Sequence, residues 1–257
     1  MNLALSPAAR LVQKLDRDRF ATVLFAPQGA REPLFALYAL NIELANIRTQ
    51  VREPQAGLIR LQWWREVLEG GRDPEARPHP IAWAARQLPL VSTDFEPLLT
   101  ARESDLEPAP FADLAAVEDY ARATAGCLAR LACTLLGTEG HRAAEQVGTA
   151  FALVGLARAM AFHHGTGWSA LPGGAKADQA ANRAALAPIT ARAAQLLDQA
   201  QVMAYPRAAL PVLLVGTLAR RHLQVLAAAG GDPFDSSVSR PRPMPLRLLW
   251  HRWRGRF

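Results

Sequence analysis

The sequence predicts an all-α fold in a single domain, on three observations. Apolar residues recur three and four apart over long stretches, which is the spacing of one helix face. No stretch alternates with the period of two that marks a half-buried strand, and no internal repeat is visible. No shift in composition divides the 257 residues, and a chain of this length can bury one large core. Together these point to a bundle of about eight to ten helices.

Ser6-Pro7 offers a cap and a first-turn proline for a short helix over 7–20. Inside it, Asp16, Arg17, Asp18 and Arg19 read as a solvated face of mixed charge. Gln28-Gly29 makes a turn and Arg31 opens a long helix, with Leu34, Leu37, Tyr38, Leu40, Leu44 and Ile47 at helical spacing. The chain breaks at Pro54 and the pattern resumes at Leu58, Leu61, Trp64 and Leu68. Two amphipathic helices joined by so short a turn are expected to pack side by side. Glu43, Asn46 and Gln50 share a face, expected as a hydrogen-bonded or solvated stripe, because one carboxylate holds Mg2+ poorly. Trp63 and Trp64 are neighbours, so one belongs in the core and the other at a groove or partner surface.

Gly70-Gly71 ends that helix and a proline-rich loop follows. His79, beside Pro80, reads as a loop or capping residue. Helices are expected over 94–106 and 111–137, parted by Pro108 and Pro110. Glu103 and Asp105 lie two apart, so on a helix they diverge and make no acid–base pair. Further helices are expected over 139–163, 188–204 and 207–228, with a loop over 173–180. Gly230-Gly231 stops the last of these and is no phosphate loop, since no strand precedes it. His163-His164 are expected at a helix C-terminus, where imidazoles suit the dipole, rather than as metal ligands.

Lys and Arg number 29 against 23 Asp and Glu, a formal charge of +6, and only Lys14 and Lys176 are lysines. Arginine-rich coding in a GC-rich genome accounts for this, and so does attraction to an anionic lipid, diphosphate or nucleic acid. Cys127 and Cys133 fall on different faces of one helical stretch, so they read as buried thiols in a reducing compartment. The first twenty residues lack a secretory pattern, and Leu210–Ala219 is about half the apolar length that crosses a bilayer. The expected place is the cytoplasm, with peripheral attachment at the inner membrane face. The tail 240–257 has six Arg, one His and no acid. Its Leu246, Leu249, Trp250, Trp253 and Phe257 recur at helical spacing, with Arg247, His251 and Arg254 on the other side. Two readings stay open: a membrane-surface helix carried by Arg247, Trp250, Trp253 and Arg254, or a terminal helix docked on the core.

Leu37-Tyr38-Ala39-Leu40 and Arg60-Leu61-Gln62-Trp63-Trp64-Arg65 resemble the squalene/phytoene synthase family. The likeness extends from about residue 16 to the C-terminus through Asp18-Arg19-Phe20, His79-Pro80-Ile81-Ala82, Tyr120-Ala121-Arg122 and Leu171-Pro172. It implies an isoprenoid-synthase-like bundle around a central cavity. It also implies two aspartate clusters that hold Mg2+ against a prenyl diphosphate. At the positions of the first cluster this chain reads Ala45, Asn46, Thr49 and Gln50, and at those of the second Ala159 and His163. Thr166-Gly167-Trp168 stands where the resemblance implies basic residues.

The resemblance is nearest to the branch that holds a mitochondrial assembly factor for respiratory complex I. It implies a non-catalytic assembly or interaction protein with no metal cofactor. Its implied partners are a membrane or respiratory-complex protein, an anionic membrane surface and a bound isoprenoid or lipid, with no nucleic acid. Tyr38, Asn41, Glu43, Arg60, Trp64, Arg158 and His163 are the candidate ligand-binding residues. The competing expectation is a prenyltransferase, condensing prenyl diphosphates with an altered Mg2+ site built from Glu43, Glu53 or Asp105.

Overall fold

A computed structural model describes residues 5–73, 79–107, 109–163, 169, 171–174, 178–239 and 244–257. Its regular elements are all helical among these residues. In order they are α1 (Pro7–Leu15), α2 (Arg17–Val23), α3 (Gln28–Gln50), α4 (Pro54–Leu68), α5 (Pro80–Arg86), α6 (Glu96–Glu103) and α7 (Leu114–Ala121). Then follow α8 (Cys127–Leu135), α9 (His141–His163), α10 (Gln179–Val202), α11 (Leu210–Leu213), α12 (Val215–Ala228), α13 (Ser236–Ser239) and α14 (Pro245–Arg254). The count exceeds eight to ten because short segments stand apart where a side chain or proline ends one helix and opens the next.

Asp16 is one such divider. Its carboxylate accepts the Arg19 N–H at 3.0 Å and so caps α2, splitting the helix expected over 7–20. Ser6 caps α1 as the sequence predicts, with Oγ accepting from Ala9 N–H at 3.0 Å. The break expected at Pro54 is present: Pro54 opens α4 at its first turn, after extended Val51 and Glu53. The helix expected from 188 begins at Gln179 instead, because Asp178 caps it through Ala180 and Ala181 N–H; Pro188 lies inside.

The long helices set the architecture. α3 packs on α1, α5 and α8, and α9 packs on α8, α10 and α12. α3 is buried on every side from Leu34 to Leu40, so its first half is a core helix rather than an amphipathic one. α7 runs into α8 through a π-helical turn, Arg122–Gly126, a local widening of the helix. There the backbone of α9 comes close: a Cβ on Gly148 would stand 2.3 Å from the Ala125 carbonyl oxygen. Cys127 and Cys133 are both free and buried, and burial pushes the Cys133 thiol up to about 12. No helix among the described residues is long and apolar enough to cross a membrane.

Candidate functional site

The segment Arg60-Leu61-Gln62-Trp63-Trp64-Arg65 divides its side chains between support and surface. Leu61 and Trp64 are buried in the core. Arg65 ties α4 to α6, donating to Glu96 at 2.8 Å and to Glu103 at 2.6 Å. Arg60 and Trp63 turn instead to a cleft of about 500 Å³ between α3 and α4. Glu43, Ile47 and Gln50 form its α3 wall, Ile59, Arg60, Trp63 and Trp64 its α4 wall, and His79 one end. The two indoles meet edge to face, with centroids 5.0 Å apart, and the His79 ring lies 5.3 Å from Trp64. Both tryptophans therefore border the cleft, although only Trp64 is buried.

His79 is the capping residue expected from the sequence: Nδ1 accepts the Ala82 N–H at 3.2 Å and opens α5. Arg60 Nη1 donates to Gln50 Oε1 at 2.5 Å. Glu43 has no ion-pair partner among the described residues. Aromatic walls with one carboxylate and one guanidinium suit an amphiphilic ligand. Glu43 and His79 both line the cleft, and His79 Nδ1 is already taken up by the Ala82 N–H.

The positions implied for the first aspartate cluster present no carboxylate. Ala45 and Asn46 are half-buried, and Thr49 and Gln50 are exposed. Thr49 Oγ1 donates back to the Asn46 carbonyl at 2.9 Å, within its own helix. Ala159 is half-buried on α9. The side chain of His163, and all of His164 and Thr166-Gly167-Trp168, lie outside the described residues. Among the described residues no three His, Cys, Asp or Glu side chains are grouped to hold a metal ion. The carboxylates weighed for an altered Mg2+ site do not converge either. Asp105 is bound to Arg102 and Tyr120, Glu43 faces the cleft, and Glu53 is exposed. At the positions implied for the first cluster the described residues offer amide and hydroxyl groups rather than carboxylates.

Two internal networks take up the other candidates. The Arg19 guanidinium lies 5.4 Å from the Tyr38 ring and 4.8 Å from that of Phe151, so it stacks between α3 and α9. Arg19 also pairs with Asp16 at 2.6 Å. Burial raises the Tyr38 phenol above its usual range, so it stays protonated. Asn41 meets Arg102, whose guanidinium also reaches Asp105 at 3.0 Å and Tyr120 Oη at 2.8 Å.

Arg158 is held by the Val238 carbonyl at 3.3 Å and by Asp18 at 3.9 Å, with His222 Nε2 3.2 Å away. His222 Nε2 in turn lies 2.8 Å from Asp18 Oδ2. This corrects the expectation for Asp16–Arg19. Asp18 and Arg19 face inward, because α2 lies against α3, α11 and α12, where a carboxylate and a guanidinium must find partners. The structure does not bring Arg158 to the cleft that holds Glu43, Arg60 and Trp64.

Burial alone would raise the Asp18 carboxyl, but the His222 hydrogen bond and the His222, Arg158 and Arg19 charges outweigh it and hold it below its ordinary 3.8. A carboxyl depressed in the folded state stabilises above its unfolded value; the contribution is lost as pH falls through the lower folded value. Asp18→Asn is therefore expected to lower the urea midpoint at neutral pH and to flatten its fall between about pH 4 and pH 2. Urea unfolding of both proteins across that range checks this; parallel curves would show that Asp18 contributes nothing.

The sequence did not reveal Phe151, His222 or Ile59 as partners in these sites. The pairing of Arg102 with Asp105, three apart on one helical turn, was the one available signal.

The squalene/phytoene synthase family model matches residues 12–254. NADH dehydrogenase (ubiquinone) complex I, assembly factor 6, of Bos taurus is 29% identical over 160 residues, covering 60% of this chain and 48% of that protein. The Homo sapiens protein of the same name matches at the same identity and coverage. The chain thus spans about half the length of the curated relatives it matches. A dehydrosqualene synthase solved with a ligand superposes with a TM-score of 0.79 at 17% identity, over 96% of this chain and 94% of that one. Squalene synthase HpnC from Alicyclobacillus acidocaldarius gives a TM-score of 0.72 at 19% identity, over 88% and 94%.

Proposed function

Because the chain belongs to the squalene/phytoene synthase family, we propose that it uses that family's frame without its chemistry, as an assembly or interaction factor. The observation that carries this is the composition of α3 and α9. Where the family resemblance implies Mg2+-binding aspartates, the chain has Ala45, Asn46, Thr49, Gln50, Ala159 and His163. Departure of a diphosphate develops charge that fixed cations must neutralise, and none of these side chains is the carboxylate that would hold Mg2+ there. The curated relatives support the same reading, since their names place them in complex I assembly. The partner under this proposal is a respiratory-complex or other membrane protein, met at the inner face of the membrane. The α3–α4 cleft then serves as a recognition site, with Glu43, Arg60 and Trp64 touching the bound group.

The test is turnover together with assembly. Purified protein is incubated with farnesyl or geranylgeranyl diphosphate, Mg2+ and NADPH, and released pyrophosphate and hydrocarbon product are assayed. No product is expected from helical, folded protein. Deleting the gene is expected to reduce assembled respiratory NADH dehydrogenase on native gels in a host that makes the complex. A clear hydrocarbon product would overturn the reading in favour of a prenyltransferase with an unidentified metal site. A normal level of assembled complex after deletion would remove the assembly role.

A further inference from the structure

Helix α14 turns more apolar surface outward than inward. Leu248 is its buried side chain, at 2% exposure. Just beyond the helix, Phe257 is also buried and sits against Gly216, where an added Cβ would stand 2.5 Å from the ring. Gln201 Nε2 donates to the Phe257 carbonyl and Arg207 Nη2 to the Trp253 carbonyl, both at 2.8 Å. These contacts fix the helix by one side and by its C-terminal end.

The opposite side is exposed among the described residues. Leu246 is 80% exposed, Leu249 53%, Trp250 52% and Trp253 71%. At roughly 100° per residue, these four occupy an arc of about 100° facing away from Leu248. The rings of Trp250 and Trp253 lie 5.4 Å apart, and the Arg254 guanidinium rests 5.5 Å over Trp250. The same turns place Arg247 and Arg254 along one flank of the arc and Arg252 along the other. No acidic residue follows Asp235 in the chain.

We propose that this face of α14 is a docking surface for an anionic lipid bilayer. Leu246, Leu249, Trp250 and Trp253 would enter the boundary between headgroups and acyl chains, and Arg247, Arg252 and Arg254 would meet lipid phosphates. Charge complementarity selects this occupant: cationic flanks on a helix with no acidic side chain of its own favour a surface of uniform negative charge. Indoles favour the same boundary, since each has an apolar body and one N–H donor. The anchors at Leu248 and Phe257 hold the helix already formed, so docking carries no cost of folding it. The inference is independent of whether the chain catalyses anything.

The test uses the full chain with extruded vesicles of phosphatidylcholine alone, or with about 30 mol % phosphatidylglycerol. Binding is read by co-sedimentation and by the blue shift of tryptophan emission. Affinity is expected to be about tenfold or more higher for the anionic vesicles, and to fall as salt is raised. The Trp250→Ser/Trp253→Ser double variant is expected to lose about tenfold on anionic vesicles with an unchanged circular dichroism spectrum. Arg247→Glu/Arg254→Glu should abolish the preference for anionic lipid while leaving the fold intact, because these side chains are at the surface. Equal binding to both vesicles, or anionic binding unchanged in the tryptophan variant, would overturn the proposal. So would an absence of vesicle binding with a dimer that the tryptophan variant dissociates, which would assign the face to a second copy.

Discussion

Arg102→Ala is expected to destabilise the protein by about 3–5 kcal/mol. Arg102 and Asp105 are both shielded from solvent, with side-chain exposures of 13% and 10%. The guanidinium donates to Asp105, Tyr120 Oη and Asn41 Oδ1, and Tyr120 donates to the other carboxylate oxygen at 2.8 Å. Removing Arg102 leaves the buried Asp105 with one neutral donor, and the loss of a partner costs more than the pair gains. The midpoint of thermal unfolding is expected to fall by roughly 10 °C. The triple variant Arg102→Met/Asp105→Leu/Tyr120→Phe should recover most of that loss, because it leaves no charge behind. Arg102 Nε is buried and has no hydrogen-bond partner among the described residues. Calorimetry of the three proteins decides the matter. An unchanged midpoint in Arg102→Ala would mean that water, not this network, solvates Asp105.

A second large effect is expected at Gly148, with a sign opposite to the usual one. Glycine to alanine inside a helix normally stabilises by about 0.5–1 kcal/mol. At Gly148 the added Cβ would stand 2.3 Å from the Ala125 carbonyl oxygen and 2.8 Å from Ala129 Cβ. The first of these is backbone and cannot rotate away, so α9 and the Arg122–Gly126 turn must separate. Gly148→Ala is expected to cost about 3 kcal/mol, at the upper end of ordinary overpacking. Gly155 lies two turns along the same helix, and a Cβ there would meet nothing within 4 Å. Gly155→Ala should therefore stabilise by about 0.5 kcal/mol. Denaturant unfolding of the two variants isolates the packing, because helix and substitution are the same. Equal and stabilising changes would show that the close approach is not there.

These two sites also mark how far a sequence can be read. Gly148 stands in an unbroken helical pattern and looks like a residue that alanine could replace; the obstruction comes from a turn more than twenty residues earlier. Asp18 and Arg19 look like a solvated charge run because neighbouring charges usually are. Arg19 is buried against α3 and α9, and Asp18 meets His222 of α12, 204 positions away. Glu43 and Gln50 read as a hydrogen-bonded or solvated stripe, and only the fold makes them the α3 wall of the cleft. The contribution of His79 could not be anticipated either, since its ring meets the tryptophans only after the loop has folded back.

The sequence by itself determined the helical class, the Ser6 cap and the break at Pro54. It also determined the family likeness and the identity of the residues at the implied metal positions. These follow from local rules: periodicity, capping and composition are written in neighbouring residues. Only the tertiary structure decided which polar side chains are buried together, where α9 needs glycine, and which side of α14 is left bare. Periodicity reports that a helix has an apolar stripe, but not what covers it. Leu248 and Phe257 are buried in the core, and Trp250 and Trp253 face outward. That outcome rests on the space beside Gly216 and on the two carbonyls held by Gln201 and Arg207, contacts between segments that only folding brings together.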